Sequence, residues 1–174
     1  MKEIAAKRRS ENISEYILFL YQMEDLVRAF NFDMEQMEEY VVKHFPVEEE
    51  EKEAQRKWFS ALIRQMKAEG VEQSGHLAST QAEVDKVFDL HMKLLVEDAE
   101  YQKLFNAVRP SIQFYLQKSE GKVSNPMQVC INGLYGYLLC KMTGKPVSEE
   151  DKKHVEAFGD LLAYLSYNFK ALAL

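Results

Sequence analysis

Apolar residues recur along this chain at spacings of three and four almost everywhere, and no stretch alternates with a period of two. That pattern predicts helices throughout and no strands. A first helix is predicted over Ser10–Phe30, with Ile13, Tyr16, Ile17, Leu20, Met23 and Val27 on one broad face. Asp33 with Gln36 reads as a capping box that opens a short helix to about His44. A third begins in the acidic run Glu48–Glu51, whose charges suit the positive end of a helix dipole, and stops at Gly70. Thr80 with Glu83 reads as the cap of a fourth, carrying Val84, Val87, Phe88, His91 and Leu94. A fifth runs from about Asp98 with Pro110 expected to kink it, and Asn125-Pro126 starts a sixth. The last is capped by Ser148 and carries Val155, Phe158, Leu161, Leu165, Phe169 and Leu172.

The sixth segment stands apart. Met127–Cys140 holds no charged side chain and is apolar on all sides, so it is expected to be buried at the centre of the bundle. The expected fold is therefore all-α: a single-domain bundle of about seven helices over residues 1–174, with no Gly/Ser/Pro linker dividing it. The loop Gly70–Ser79 is the longest connection and a place to look for function.

Composition narrows the class. The 174 residues are 47% hydrophobic and 29% charged, with 7 Gly and 4 Pro, which disfavours disorder and fibrous repeats. No run approaches the roughly 20 apolar residues of a membrane span, and the first residues lack the apolar stretch of a signal peptide, so the expected compartment is the cytoplasm. The net charge of −6 opposes attraction to a phosphate backbone, which makes nucleic acid an unfavoured partner. Residues 1–9, with Lys2, Lys7, Arg8 and Arg9, are a candidate mobile basic arm, through which RNA or anionic lipid contact is a third-ranked reading. Cys130 and Cys140 would stand about 15 Å apart on one helix, too far to bridge, and both read as buried, reduced thiols.

No phosphate loop, dinucleotide fingerprint, zinc motif or nucleophile elbow is present, so no cofactor and no metal is called for. The informative positions are polar residues where apolar ones belong. Counting about 100° per residue from Ile13 places Glu24 at about 20°, inside the apolar arc, with Arg28 at about 60° and able to reach it. His91 lies mid-stripe on the fourth helix, Asn132 sits in the uncharged sixth, and Arg109 flanks the fifth helix's stripe. These residues, with His76 of the long loop, admit two readings. Either each is a separately satisfied buried group, or some converge on a small-ligand pocket in which Glu24 serves as acid or base. Glu24 is expected to be buried and held by Arg28 or by a donor from another helix.

Four segments, Asn12–Ile17, Glu24–Ala29, Gly75–Leu77 and Asn132–Gly136, together resemble an uncharacterised bacterial domain-of-unknown-function family of small all-helical proteins, along nearly the whole chain. The resemblance implies the fold and compartment and carries no activity, cofactor or catalytic residue. With no catalytic signature, the leading expectation is a cytoplasmic interaction or scaffold module that self-associates as a homodimer or takes a protein partner. Trp58 and Phe59, or Phe169 and Leu172, are the candidate contact strips. The alternative is a small-ligand-binding or enzymatic bundle built around Glu24, for which a cavity of a few hundred Å³ beside that residue is the discriminating observation.

Overall fold

The computed structural model describes residues 2–174, with side-chain surroundings from Ala5 onward. Among them are eight α-helices and no strand. Helix α1 spans Lys2–Glu11, α2 Ile13–Ala29, α3 Met34–Tyr40, α4 Glu49–Glu69, α5 Ala78–Glu97, α6 Ala99–Lys118, α7 Pro126–Thr143 and α8 Glu149–Ala171, with a 3-10 turn at Val42–His44 after α3.

Local chemistry sets most of these boundaries. The side chains of Asp33, Asp98, Asn125 and Ser148 each accept a backbone N–H of the first turn that follows, while Gly70 and Gly144 close α4 and α7 in the left-handed conformation. Two starts differ from the sequence expectation. Asn12 interrupts the first segment, because its side chain accepts the Glu15 N–H and so ends α1 and opens α2. Helix α5 starts at Ala78, and Thr80 is not its cap: the Thr80 hydroxyl is committed elsewhere, as described below. Helix α6 continues through Pro110.

The helices enclose two apolar clusters. The larger is built by α2, α5, α6, α7 and α8 around Ile17, Tyr21, Val87, Tyr101, Phe158 and Leu165. The smaller lies between the end of α2, α3, the 3-10 turn and α4, around Val27, Met37, Phe59 and Met66, and is closed by Leu77. Helix α8 packs against α1, α2, α5, α6 and α7, and α2 against α1, α4, α5, α7 and α8, so these two occupy the middle.

The expected buried central helix is not confirmed. In α7 only Met127, Val129, Cys130 and Ile131 are buried, and from Asn132 onward every residue is half-buried or exposed. The close approach is one-sided: a Cβ on Gly133 would meet the Phe158 ring of α8 at 2.7 Å, whereas one on Gly136 would meet nothing within 4 Å. An uncharged sequence forbids ion pairs on the far side of a helix, but it does not supply a neighbour to cover that side.

The candidate contact strips are also largely core. Phe59 and Phe169 are buried, and Trp58 is half-buried edge-on to Phe59; only Leu172 is exposed. The expected basic arm forms α1. The Arg9 guanidinium pairs with Glu83 at 3.0 Å and lies over the Phe169 ring, and Arg8 lies over Phe19. Met1 and the Lys2 side chain lie outside the described residues.

Candidate functional site

The inward face of α2 carries Glu24 into the junction of the two clusters, where it is 1% exposed. A carboxylate there needs donors, because an unpaired buried charge costs several kcal/mol, roughly 3–5 once a partner is removed. Three arrive from sequence-distant positions. Glu24 Oε2 lies 2.6 Å from His76 Nδ1, and Oε1 accepts from the Leu77 N–H at 3.2 Å and from the Thr80 hydroxyl at 2.7 Å. Helix α5 has no side-chain cap of its own. The first N–H groups of a helix lack intrahelical partners, and carboxylates from two other helices take that place: Glu24 at Leu77, and Glu69 of α4 at Ala78, 2.7 Å away.

Arg28 is not a partner of Glu24, contrary to the i,i+4 expectation. Its guanidinium turns to the 71–77 loop, donating to the Val71 and Gly75 carbonyls, and to Asp25 at 2.7 Å. Both oxygens of the Glu24 carboxylate are already engaged by His76, Leu77 and Thr80, and the main chain bent through Gly75 at φ +87° offers carbonyl acceptors to the guanidinium instead. Asp25 in turn accepts from the Tyr135 hydroxyl of α7 at 2.6 Å, and burial together with that carboxylate pushes the phenol's pKa up.

The His76 ring stacks on Tyr21, with centroids 3.6 Å apart and planes 7° from parallel. Tyr21 is itself fixed, edge-on to Tyr135 and accepting from the Gln128 amide, which also donates to Asn132 Oδ1 at 2.8 Å. Burial pushes the Tyr21 hydroxyl up to about 12, so it remains a phenol. The hydrogen bond to the Glu24 carboxylate assigns a proton to His76 Nδ1, which leaves Nε2 as the working nitrogen of the ring. No described residue makes a hydrogen bond to Nε2, and His76 lines a hollow of about 380 Å³ together with Tyr21, Arg28, Gly75, Asn132 and Tyr135.

Of the sequence candidates, Glu24, Arg28, His76 and Asn132 therefore meet at one place, with Glu24 behind His76. The other two do not join them. His91 is 2% exposed, shares a 2.7 Å hydrogen bond with the Tyr101 hydroxyl, and sits between the Phe88 and Phe105 rings; burial pushes its pKa down to about 4. Arg109 is exposed on α6. Tyr21, Asp25, Thr80 and Tyr135 were missed as site residues. Three of the four segments that carry the family resemblance, at 24–29, 75–77 and 132–136, meet at this hollow.

The chain matches the family described as Domain of unknown function (DUF4924) over residues 2–173. It belongs to that family. No curated protein and no solved structure matches it. The family description brings no activity to the DUF4924 chain, so any chemistry must be argued from the hollow itself. Among the described residues, no group of three or more His, Cys, Asp or Glu side chains is placed to hold a metal ion, and no helix is long and apolar enough to cross a membrane.

Proposed function

We propose that this chain is a small-ligand-binding helical domain whose site is the hollow between α2, the 71–77 loop and α7. The observation that carries the reading is the buried Glu24 carboxylate hydrogen-bonded to His76 Nδ1 behind that hollow. A histidine merely filling space needs no oriented ring. Here a carboxylate sets the tautomer and a tyrosine sets the plane, the arrangement that positions an imidazole to exchange a proton or a hydrogen bond through Nε2. The remaining polar lining, Asp25, Arg28, Gln73, Ser74 and Asn132, with the Tyr21 and Tyr135 rings, suits a small polar molecule with hydrogen-bonding groups and a flat or apolar face.

The test is a fragment screen followed by NMR on the imidazole signals. Polar ligands should shift the His76 resonances and leave those of His91 unmoved, and titration calorimetry should show much weaker binding of the same ligands to His76→Ala while that variant still melts cooperatively. Ligands that bind equally well to His76→Ala, or a screen that moves no His76 signal, would overturn the proposal.

Self-association in the cytoplasm, as one domain over residues 1–174, is the second reading. It is favoured by exposed apolar side chains on α7 and α8, namely Leu139, Met142 and Tyr167. A monomer mass by light scattering at high micromolar concentration would remove it.

A further inference from the structure

The uncovered side of α7 carries a second cavity, distinct from the hollow at His76. It holds about 480 Å³, within the usual range of small-molecule sites, roughly 300–1,000 Å³. Its walls are Val129 and Tyr137 of α7, Val155 of α8, Tyr115 of α6, and Pro146 and Val147 of the α7–α8 loop, so it is mainly apolar. Gly136 lies on the strip between the two hollows and lines both, and a Cβ there would meet nothing within 4 Å. The missing cover of α7 is therefore space of molecular size rather than a flat strip.

Two charged groups line this cavity, and they are not equivalent. Asp151 is already engaged, accepting from the Tyr115 hydroxyl at 2.6 Å and from Ser148 at 2.7 Å, and those bonds hold its carboxyl below the ordinary range. Lys118 forms no ion pair with any described residue; its ammonium lies over the Phe114 and Tyr115 rings, 4.3 and 5.6 Å from their centres, and its charge helps to hold Asp151 low. An apolar cavity with a cation outside any ion pair at its edge, and a carboxylate whose oxygens are already hydrogen-bonded, is complementary to a molecule with an apolar body and a single negative charge.

We infer that the α6–α7–α8 cavity binds a medium-chain monocarboxylate, its chain between Val129, Val147 and Val155 and its carboxylate toward Lys118. Cys140 lines this cavity and not the other, which makes it a reporter. Cys130 is fully buried and its thiol is pushed up by burial, so it is unreactive in the folded protein.

The experiment follows Cys140 labelling by Ellman's reagent with decanoate and 1-decanol as probes. Decanoate should slow labelling saturably, by about tenfold or more. Lys118→Met should weaken decanoate about three- to fivefold and leave decanol unchanged, the range expected for one exposed ion pair. Gly136→Leu, whose Cβ would meet nothing within 4 Å, should block both probes while the melting temperature holds. Three outcomes would overturn the inference: no saturable slowing by decanoate, slowing indifferent to both substitutions, or ligand-free protection of Cys140 that rises with protein concentration as the mass doubles. The last would mean that a second copy covers the face.

Discussion

The two buried polar centres of this bundle, at His91 and at Glu24, share a sequence description and differ in almost everything else. His91 and Glu24 each sit on the apolar face of a helix, and each is 2% exposed or less. His91 has one neutral partner, Tyr101, and is enclosed by aromatic rings. Glu24 has three donors from another part of the chain, and the nearest of them, His76, is a quarter exposed at its side chain and borders a hollow. A polar residue on an apolar stripe is thus evidence of burial alone. What separates a satisfied core group from a candidate site is whether its partner reaches solvent.

The sharpest way to break this comparison is to truncate each centre. Glu24→Ala leaves the Leu77 N–H, the Thr80 hydroxyl and His76 without their acceptor, and should cost roughly 3 kcal/mol or more in urea unfolding. Glu24→Gln keeps an acceptor for Leu77 and Thr80 and should cost much less. Equal losses for the two variants would mean that charge, and not hydrogen bonding, holds the loop.

The next effect is a pH dependence carried by His91. Its folded pKa, near 4, lies below the unfolded value of about 6.5. Between those values the unfolded chain binds the extra proton, so stability is full above about pH 6.5 and falls as the pH drops toward 4, by about 3 kcal/mol in all. Asp33, Glu38, Asp98 and Asp151 also have lowered pKa values, but their stabilisation is lost only as the pH falls below the ordinary carboxylate range. Unfolding free energies between about pH 6.5 and 5 therefore lie above the losses of these four carboxylates, and His91→Phe should reduce the slope there. A slope unchanged in that variant would refute the assignment.

The smallest effects compare single hydroxyls. Thr80→Val and Tyr101→Phe each remove one buried partner and should each cost about 1–2 kcal/mol. Only Thr80→Val should also alter the His76 imidazole signals, because only it disturbs the carboxylate on which His76 rests. Disturbance of those signals by Tyr101→Phe would show that the two centres are coupled.

Much of this was readable in the residues. Helical phase placed Glu24 indoors, and caps at Asp33, Asn125 and Ser148 and stops at Gly70 and Gly144 fall where short-range chemistry puts them. His76 was marked by its loop. The failures share one cause: phase tells which way a side chain points and not what stands opposite. Arg28 was within reach of Glu24 by helix geometry, yet the loop's carbonyls took it. Thr80 had the spacing of a cap, yet its hydroxyl faces a carboxylate 56 residues earlier. Met127–Cys140 had the composition of a core helix, yet only its first turns are buried.

The start of α5 has a kinetic consequence. Its first two amide acceptors come from α2 and α4, 53 and 9 residues back in the chain, rather than from a local side chain. A helix capped locally can complete its first turn as soon as it nucleates, whereas this one must wait for a long loop to close. The Leu77 and Ala78 amides should therefore gain protection from hydrogen exchange late in refolding, after those at the locally capped start of α7, with Leu77 lagging Ala78 because its acceptor must return from farther along the chain.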